Sequence, residues 1–135
     1  MVNDLVNNAP KNYKPPSYKN VRTTVLSKDR ARIEATLHNI KDSWKESEVS
    51  IVSDGWTDAN HRPLINILVS SSKGVVFLKS YGTIGKKKDG PYLKGLLKEV
   101  IEEVGRENVV QIVTDSASDN VIAGGLIENE YPIIF

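Results

Sequence analysis

Apolar positions change their spacing along the chain, and each spacing predicts a different element. Behind Ser27, a residue type that caps helices, Ile33, Leu37, Ile40 and Trp44 recur at helical intervals while Lys28, Arg30, Arg32 and Lys41 take the other side. This pattern predicts an amphipathic helix with a basic outer face. From Val49 the runs shorten, so that Val49 to Asp54, Leu64 to Ser70 and Val75 to Ser80 read as strands. Ser71-Ser72-Lys73-Gly74 between the last two signals a hairpin turn. Leu93, Leu96, Leu97, Val100, Ile101 and Val104 then return at helical spacing and stop at Gly105, which predicts a core-facing helix with a glycine end. The β-branched run Val109 to Val113 predicts a strand, Ser118 to Asn129 a short helix, and Tyr131-Pro132-Ile133-Ile134-Phe135 the start of a final strand. Pro10, Pro15 and Pro16 interrupt the beginning, so residues 1–26 are expected to run extended as an arm.

Strands joined by short turns make an antiparallel meander, and a strand, helix, strand sequence makes a parallel crossover. The expected architecture is therefore mixed α/β: a basic arm over 1–26, then one domain over 27–135 with a leading amphipathic helix. If Val109 to Val113 lies beside Val49 to Asp54, the carboxyl ends of the two strands coincide, and Asp54 and Asp115 sit at those ends. Adjacent strands are about 4.8 Å apart, so the pair is able to share one divalent cation, or two held roughly 4 Å apart. Carboxylate oxygens suit magnesium and manganese. The same residues also suit plainer work, Asp54-Gly55 as a turn pair and Asp115 as a helix cap. Pattern alone leaves both readings open.

Composition narrows the field. At 135 residues, 39% hydrophobic and 26% charged, the chain has the balance of one globular domain. With no cysteine it has no disulfide framework, thiol nucleophile, iron–sulfur cluster or cysteine-type zinc site, and no zinc is expected. Met1-Val2-Asn3-Asp4-Leu5 lacks the form of a secretory signal, and no apolar run approaches the ~20 residues of a membrane span. A nuclear protein is expected, with a cytoplasmic one as the alternative, and no membrane partner. The net charge of +1 conceals a division: residues 1–45 sum to +5 and residues 46–135 to −4. Lys14, Lys19, Arg22, Lys28 and Arg32 thus form either a nucleic-acid footprint or a solvated charged face.

Smaller features divide in the same way. Lys86, Lys87 and Lys88 either touch a DNA backbone or form a solvated loop. Gly82-Thr83-Ile84-Gly85-Lys86 has two residues between its glycines where a phosphate loop needs four, so it is not one. Trp56 either stacks on a base or anchors its loop to the sheet, and His61 is a lone surface histidine. No His, Ser or Lys constellation points to a small-molecule substrate.

Four segments are more specific when taken together and in order: Ser53-Asp54-Gly55-Trp56-Thr57-Asp58, Arg62-Pro63-Leu64-Ile65-Asn66, Lys73 to Ser80, and Val104 to Asp115. They resemble a plant domain of unknown function found in hAT-family transposases. Tyr13-Lys14-Pro15-Pro16-Ser17-Tyr18, with Arg22 and Leu26, resembles the segment before that domain's helix. The resemblance implies a ribonuclease H-like core with Asp54 and Asp115 as the first two acidic metal ligands and catalytic residues. In active relatives a distant glutamate completes the set, and the metals activate water or a DNA 3′-hydroxyl for attack on a phosphodiester. That glutamate, a Cys-x-x-His segment, a dimerisation region and an amino-terminal zinc finger are missing from these 135 residues. Tyr81 stands where many relatives have aspartate, and the loop after Asp115 reads Ser116-Ala117-Ser118-Asp119-Asn120 where relatives are asparagine-rich. Asp119 either approaches the metal or starts the helix.

The resulting expectation is a truncated, hAT-derived domain that holds magnesium or manganese weakly or not at all and does not cut DNA efficiently. The competing expectation is a non-catalytic module that binds DNA or protein. Self-association is expected through an unfinished sheet edge and an exposed apolar face on the last helix that includes Leu126 and Ile127.

Overall fold

The computed structural model describes Pro10 and residues 12–135, so the first part of the expected arm lies outside the described residues. The chain divides into two compact units, Met1–Leu37 and His38–Phe135, a division that falls within a helix rather than at Leu26. In the first unit, Ser17 caps α1 (Tyr18–Asn20) by accepting a bond from the Asn20 N–H, and a π-helical turn over Val21–Val25 leads into α2 (Leu26–Ser43). The stretch before Leu26 is thus helical from Tyr18, not extended. A proline restricts its own backbone and that of the residue before it, so nothing forbids a helix once Pro16 is passed. Ser27 lies inside α2 and caps nothing. At the π-helical turn the Thr23 hydroxyl donates to the Lys19 carbonyl at 2.8 Å, a local bond of the kind that bends helices. No residue of α2 itself is buried, and the expected apolar stripe is graded: Ile33 is exposed, Leu37 and Ile40 are half-buried, and Trp44, just past the helix, is buried.

The second unit is built on a four-stranded sheet of β1 (Val49–Thr57), β2 (Pro63–Ser71), β3 (Gly74–Gly82) and β4 (Val109–Val113) in the order β3-β2-β1-β4. β1, β2 and β3 are antiparallel neighbours, and β4 runs parallel to β1, as the element order predicts. The hairpin turns where expected, with Ser71 and Gly74 as the last pair. Two irregularities interrupt the ladders, one between Val49 and Ser50 against β4, the other between Ile67 and Leu68 against β3. In the second, Ile67 faces Lys79 and Leu68 faces Phe77, which leaves Leu78 as the extra residue of a bulge.

Strand alternation sends Val49, Ile51, Ile65, Ile67, Val69 and Val76 to one buried face. The other half of this core comes from α3 (Gly90–Val104), whose Leu93, Leu96, Leu97, Val100, Ile101 and Val104 are buried. Asp89 caps α3 by accepting from the Tyr92 N–H, and Gly105, at φ +97°, ends it. A second helix, α4 (Ser118–Glu130), packs on α3 through Ala123 and Ile127. Ile127 is buried, so it is not part of an exposed apolar face; Val121 and Ile122 are exposed instead. The two helices meet so closely that a Cβ on Gly90 would stand 2.3 Å from Ile122 Cγ2.

After α4 the expected strand gives way to a turn, in which the Ile134 N–H bonds the Tyr131 carbonyl at 3.0 Å around Pro132. Only Phe135 reaches the sheet. Its N–H donates to the Val110 carbonyl and its own carbonyl accepts from Ile112, the pattern of parallel pairing on the outer side of β4.

The opposite sheet face carries two rows of interest. Phe77, Leu68, Val52 and Val113 are in register across all four strands, and Ser80, Asn66 and Asp54 form the next row toward the carboxyl end of β1. Phe77 and Val113 are exposed, 55% and 41%.

Candidate functional site

The carboxyl ends of β1 and β4 lie side by side because the strands are parallel neighbours. Their last pair is Val52 with Val113; Asp54 follows two residues on within β1, and Asp115 lies two residues beyond β4, in the loop before α4. Parallel neighbours stand about 4.8 Å apart, within reach of a shared cation. Asp54 lies within β1, not in a turn, opposite Asn66 of β2. Asn66 is held in turn by the Ser80 hydroxyl, which donates to its Oδ1.

Asp115 does serve as a turn residue. Its Oδ1 accepts the Ala117 N–H at 3.0 Å and the Asn120 side-chain amide at 2.6 Å, which fixes the carboxylate at the start of α4. The Ala117 N–H, then Asn120, and less strongly the charge of Lys88, hold its carboxyl below the ordinary aspartate value, so it is ionised at neutral pH. Both bonds fall on Oδ1. Cap and ligand roles are therefore compatible, since Oδ2 keeps its lone pairs.

Beside Asp115 lies an open cleft of about 180 Å³, lined by Ser53 and Gly55 of β1, Lys88, Asp119 and Asn120, with Ile65 and Leu93 at its apolar base. Asp54 itself is not among the lining residues; its two chain neighbours are. Asp119 is brought to the site as the second residue of α4, while Ser116 belongs to the loop before it. Trp56 is on β1 and 52% exposed, so it does not anchor the loop to a core.

The lysine run is sorted by its surroundings. Lys87 pairs with Asp89 at 3.4 Å, Lys88 lines the cleft, and Lys86 gives its backbone N–H to the Thr83 carbonyl at 3.0 Å. Lys14, Lys19, Arg22, Lys28 and Arg32 lie in the first unit, where all are exposed. Arg32 faces Asp29 across 3.6 Å.

One feature beside the site is not anticipated in the residue pattern. Between β1 and β2, Asp58 accepts the N–H groups of Asn60 and Arg62 on Oδ1 and the Arg62 guanidinium on Oδ2, at 2.6 to 2.9 Å. Arg62 holds the Asp58 carboxyl below its usual value. His61 adopts a left-handed backbone at φ +57° within this clamp. The spacing Asp-x-Asn-x-Arg, an acceptor ahead of two turn donors, is the signal that marks it.

Among the described residues there is no group of three or more His, Cys, Asp and Glu side chains placed to hold a metal. Glu130, near the end of the chain, is engaged elsewhere, by Lys94 at 2.7 Å and by Lys98. No helix among the described residues is long and apolar enough to cross a membrane. No curated protein matches the chain. A family model described as a domain of unknown function, DUF659, matches residues 16–135, nearly the whole length, and the chain belongs to that family.

Proposed function

We propose that the second unit is a ribonuclease H-like scaffold of the hAT-transposase kind, with Asp54 and Asp115 as its cation-binding pair. The observation that carries this reading is the parallel pairing of β1 with β4 within the order β3-β2-β1-β4, with Asp54 toward the carboxyl end of one strand and Asp115 just beyond the other. The parallel docking of Phe135 on the outer side of β4 supports it, because it extends the parallel part of the sheet on that side.

The donor set fits a hard divalent cation. Two carboxylates toward the carboxyl ends of neighbouring strands, one already oriented by Ala117 and Asn120, are the oxygen ligands that magnesium and manganese take. Asp54 and Asp115 would hold the ion, which supplies charge neutralisation at a phosphodiester and a more acidic bound water. The chain's own part is positioning: Asn120 locks the Asp115 rotamer, and Asn66 and Ser80 furnish a polar row beside Asp54. DNA is the proposed ligand, met also by the basic residues of the first unit, and the nucleus is the proposed location. Two carboxylates fix a cation less firmly than three, so the 135-residue chain is proposed to bind the ion weakly and to cut DNA poorly.

Manganese binding followed by electron paramagnetic resonance tests the pair. Weak uptake by the wild-type chain, lost in both Asp54→Asn and Asp115→Asn, is expected. Uptake that neither substitution changes, or rapid magnesium-dependent nicking of plasmid DNA, sinks the reading.

A second reading, a non-catalytic interaction module, is favoured by the apolar row Phe77, Leu68, Val52 and Val113, exposed at Phe77 and Val113 and half-buried between them. Sedimentation that depends on protein concentration and is abolished by Phe77→Lys supports it.

A further inference from the structure

We propose that Lys88 is the residue that positions a phosphodiester in the cleft beside Asp115, and that Lys86 and Lys87 have no such role. This rests on the reading that a nucleic-acid phosphate comes to the carboxyl ends of β1 and β4.

The loop from Thr83 to Asp89 is pinned at both ends, and Lys88 occupies a fixed place in it. Thr83, buried to 2% exposure, gives both its N–H and its hydroxyl to the Pro63 carbonyl, at 3.0 and 3.1 Å. The Thr83 carbonyl then accepts the Lys86 N–H around Gly85, whose φ of +68° is the value a type II turn requires at that position. At the far end Asp89 caps α3 and pairs with Lys87. Lys88 is left facing the cleft that Asp115, Asp119 and Asn120 line from the other side. The contact of Gly90 with Ile122 sets the spacing between these two walls, because it joins the start of α3 to α4.

Charge gives the position its meaning. The cleft is lined by two carboxylates, Asp115 and Asp119, and one cationic side chain, Lys88. Bare carboxylates repel a phosphodiester, so the ammonium offers the anion a foothold, and the same charge competes with a cation for Asp115. Lys88 therefore acts in opposite directions on the two ligands. A lysine that belongs only to a solvated run has no such signature.

The experiment measures two affinities, for manganese and for a fluorescein-labelled DNA duplex, in the wild-type chain and in Lys88→Gln, Lys88→Arg and Lys86→Gln. Lys88→Gln is expected to tighten manganese roughly two- to fivefold, the scale of an exposed charge pair, and to weaken DNA with a salt slope lower by about one. Lys88→Arg retains both affinities and Lys86→Gln changes neither. Equal losses of DNA affinity in Lys86→Gln and Lys88→Gln overturn the proposal, as does weaker manganese binding in Lys88→Gln. If the wild-type chain takes up no manganese, the carboxylate pair fails by itself. The DNA measurements then decide the lysine: a loss confined to Lys88→Gln sustains it, and equal losses or none overturn it.

Discussion

On one face of the sheet Ile51, Ile67, Val69 and Val76 are sealed beneath α3, while on the other Phe77, Leu68, Val52 and Val113 stand in a row that is exposed at both of its ends. The same strands build both faces, and alternate residues serve each. On the sealed face, a slip of register by one residue would exchange apolar for polar side chains against α3, so burial specifies the pairing. The bare face specifies little of the fold, and it is the face that carries Asp54. The lesson is a division of labour within single strands: odd positions of β1 such as Val49 and Ile51 hold the structure, and even positions are free for chemistry or contact.

The largest expected contrast between the faces is in stability. Ile67→Ala, at a fully buried position, is expected to cost ~2–5 kcal/mol in urea denaturation, and Phe77→Ala, at a half-exposed one, less than ~1 kcal/mol. Similar losses at the two sites would mean that a surface covers the bare face in solution. Next comes the helix layer that makes the sealed face what it is. Gly90→Ala forces a Cβ against Ile122 and is expected to cost ~1–3 kcal/mol, most of it recovered when Ile122→Ala is added. A double-mutant cycle in which the two losses simply add would show that the helices separate without strain.

The smallest effect is electrostatic. Lys94 first, then Lys98, hold the Glu130 carboxyl down to about 2 from its ordinary 4.5, and this bonding ties α4 to α3. Because the folded value is depressed, the contribution to stability is present above pH 4.5 and is lost as the pH falls through about 2. Glu130→Gln is expected to lower the melting temperature slightly at neutral pH, with the difference from wild type shrinking below pH 4.5. A difference that does not change with pH would assign the effect to packing.

The elements legible in the residue pattern are those whose period is enforced by burial. Leu93 to Val104 forms a helix and Val109 to Val113 a strand where the spacing predicts them, because each faces a real core. Residues 18–25 are less legible because Val21, Thr23, Thr24 and Val25 are poor helix formers, and none is buried to give the helix a period. At the other end, Tyr131 to Phe135 has strand-like composition, yet Pro132 lacks a donor and Ile134 is drawn down into the core, so a turn intervenes. Of the candidate site, the parallel pairing of the strands that carry or precede Asp54 and Asp115 follows from element order alone. The engagement of Asp115 by Asn120 depends on the turn through Ala117, and the entry of Lys88 into the cleft on the loop set by Thr83 and Gly85, neither of which any periodicity reports.

The single unpaired residue Leu78 shifts the phase of β3 midway along its length. Ahead of it Val76 points to the sealed face; beyond it that place passes to Lys79 and Tyr81, which pair across the sheet with Ile67 and Ile65. Lys79 thereby reaches Glu103 of α3, and the Tyr81 hydroxyl reaches Glu99 at 3.2 Å. The bulge is what permits this: were Leu78 to take its own place in the ladder, alternation would send Lys79 and Tyr81 toward the face of Asp54, Ser80 would lose Asn66, and the ties from β3 to α3 would be cut. A chain lacking Leu78 would keep the facing of Phe77 and Lys79 as ladder neighbours, so the phase of β3 rests on the extra residue being left out of the pairing and not on its side chain.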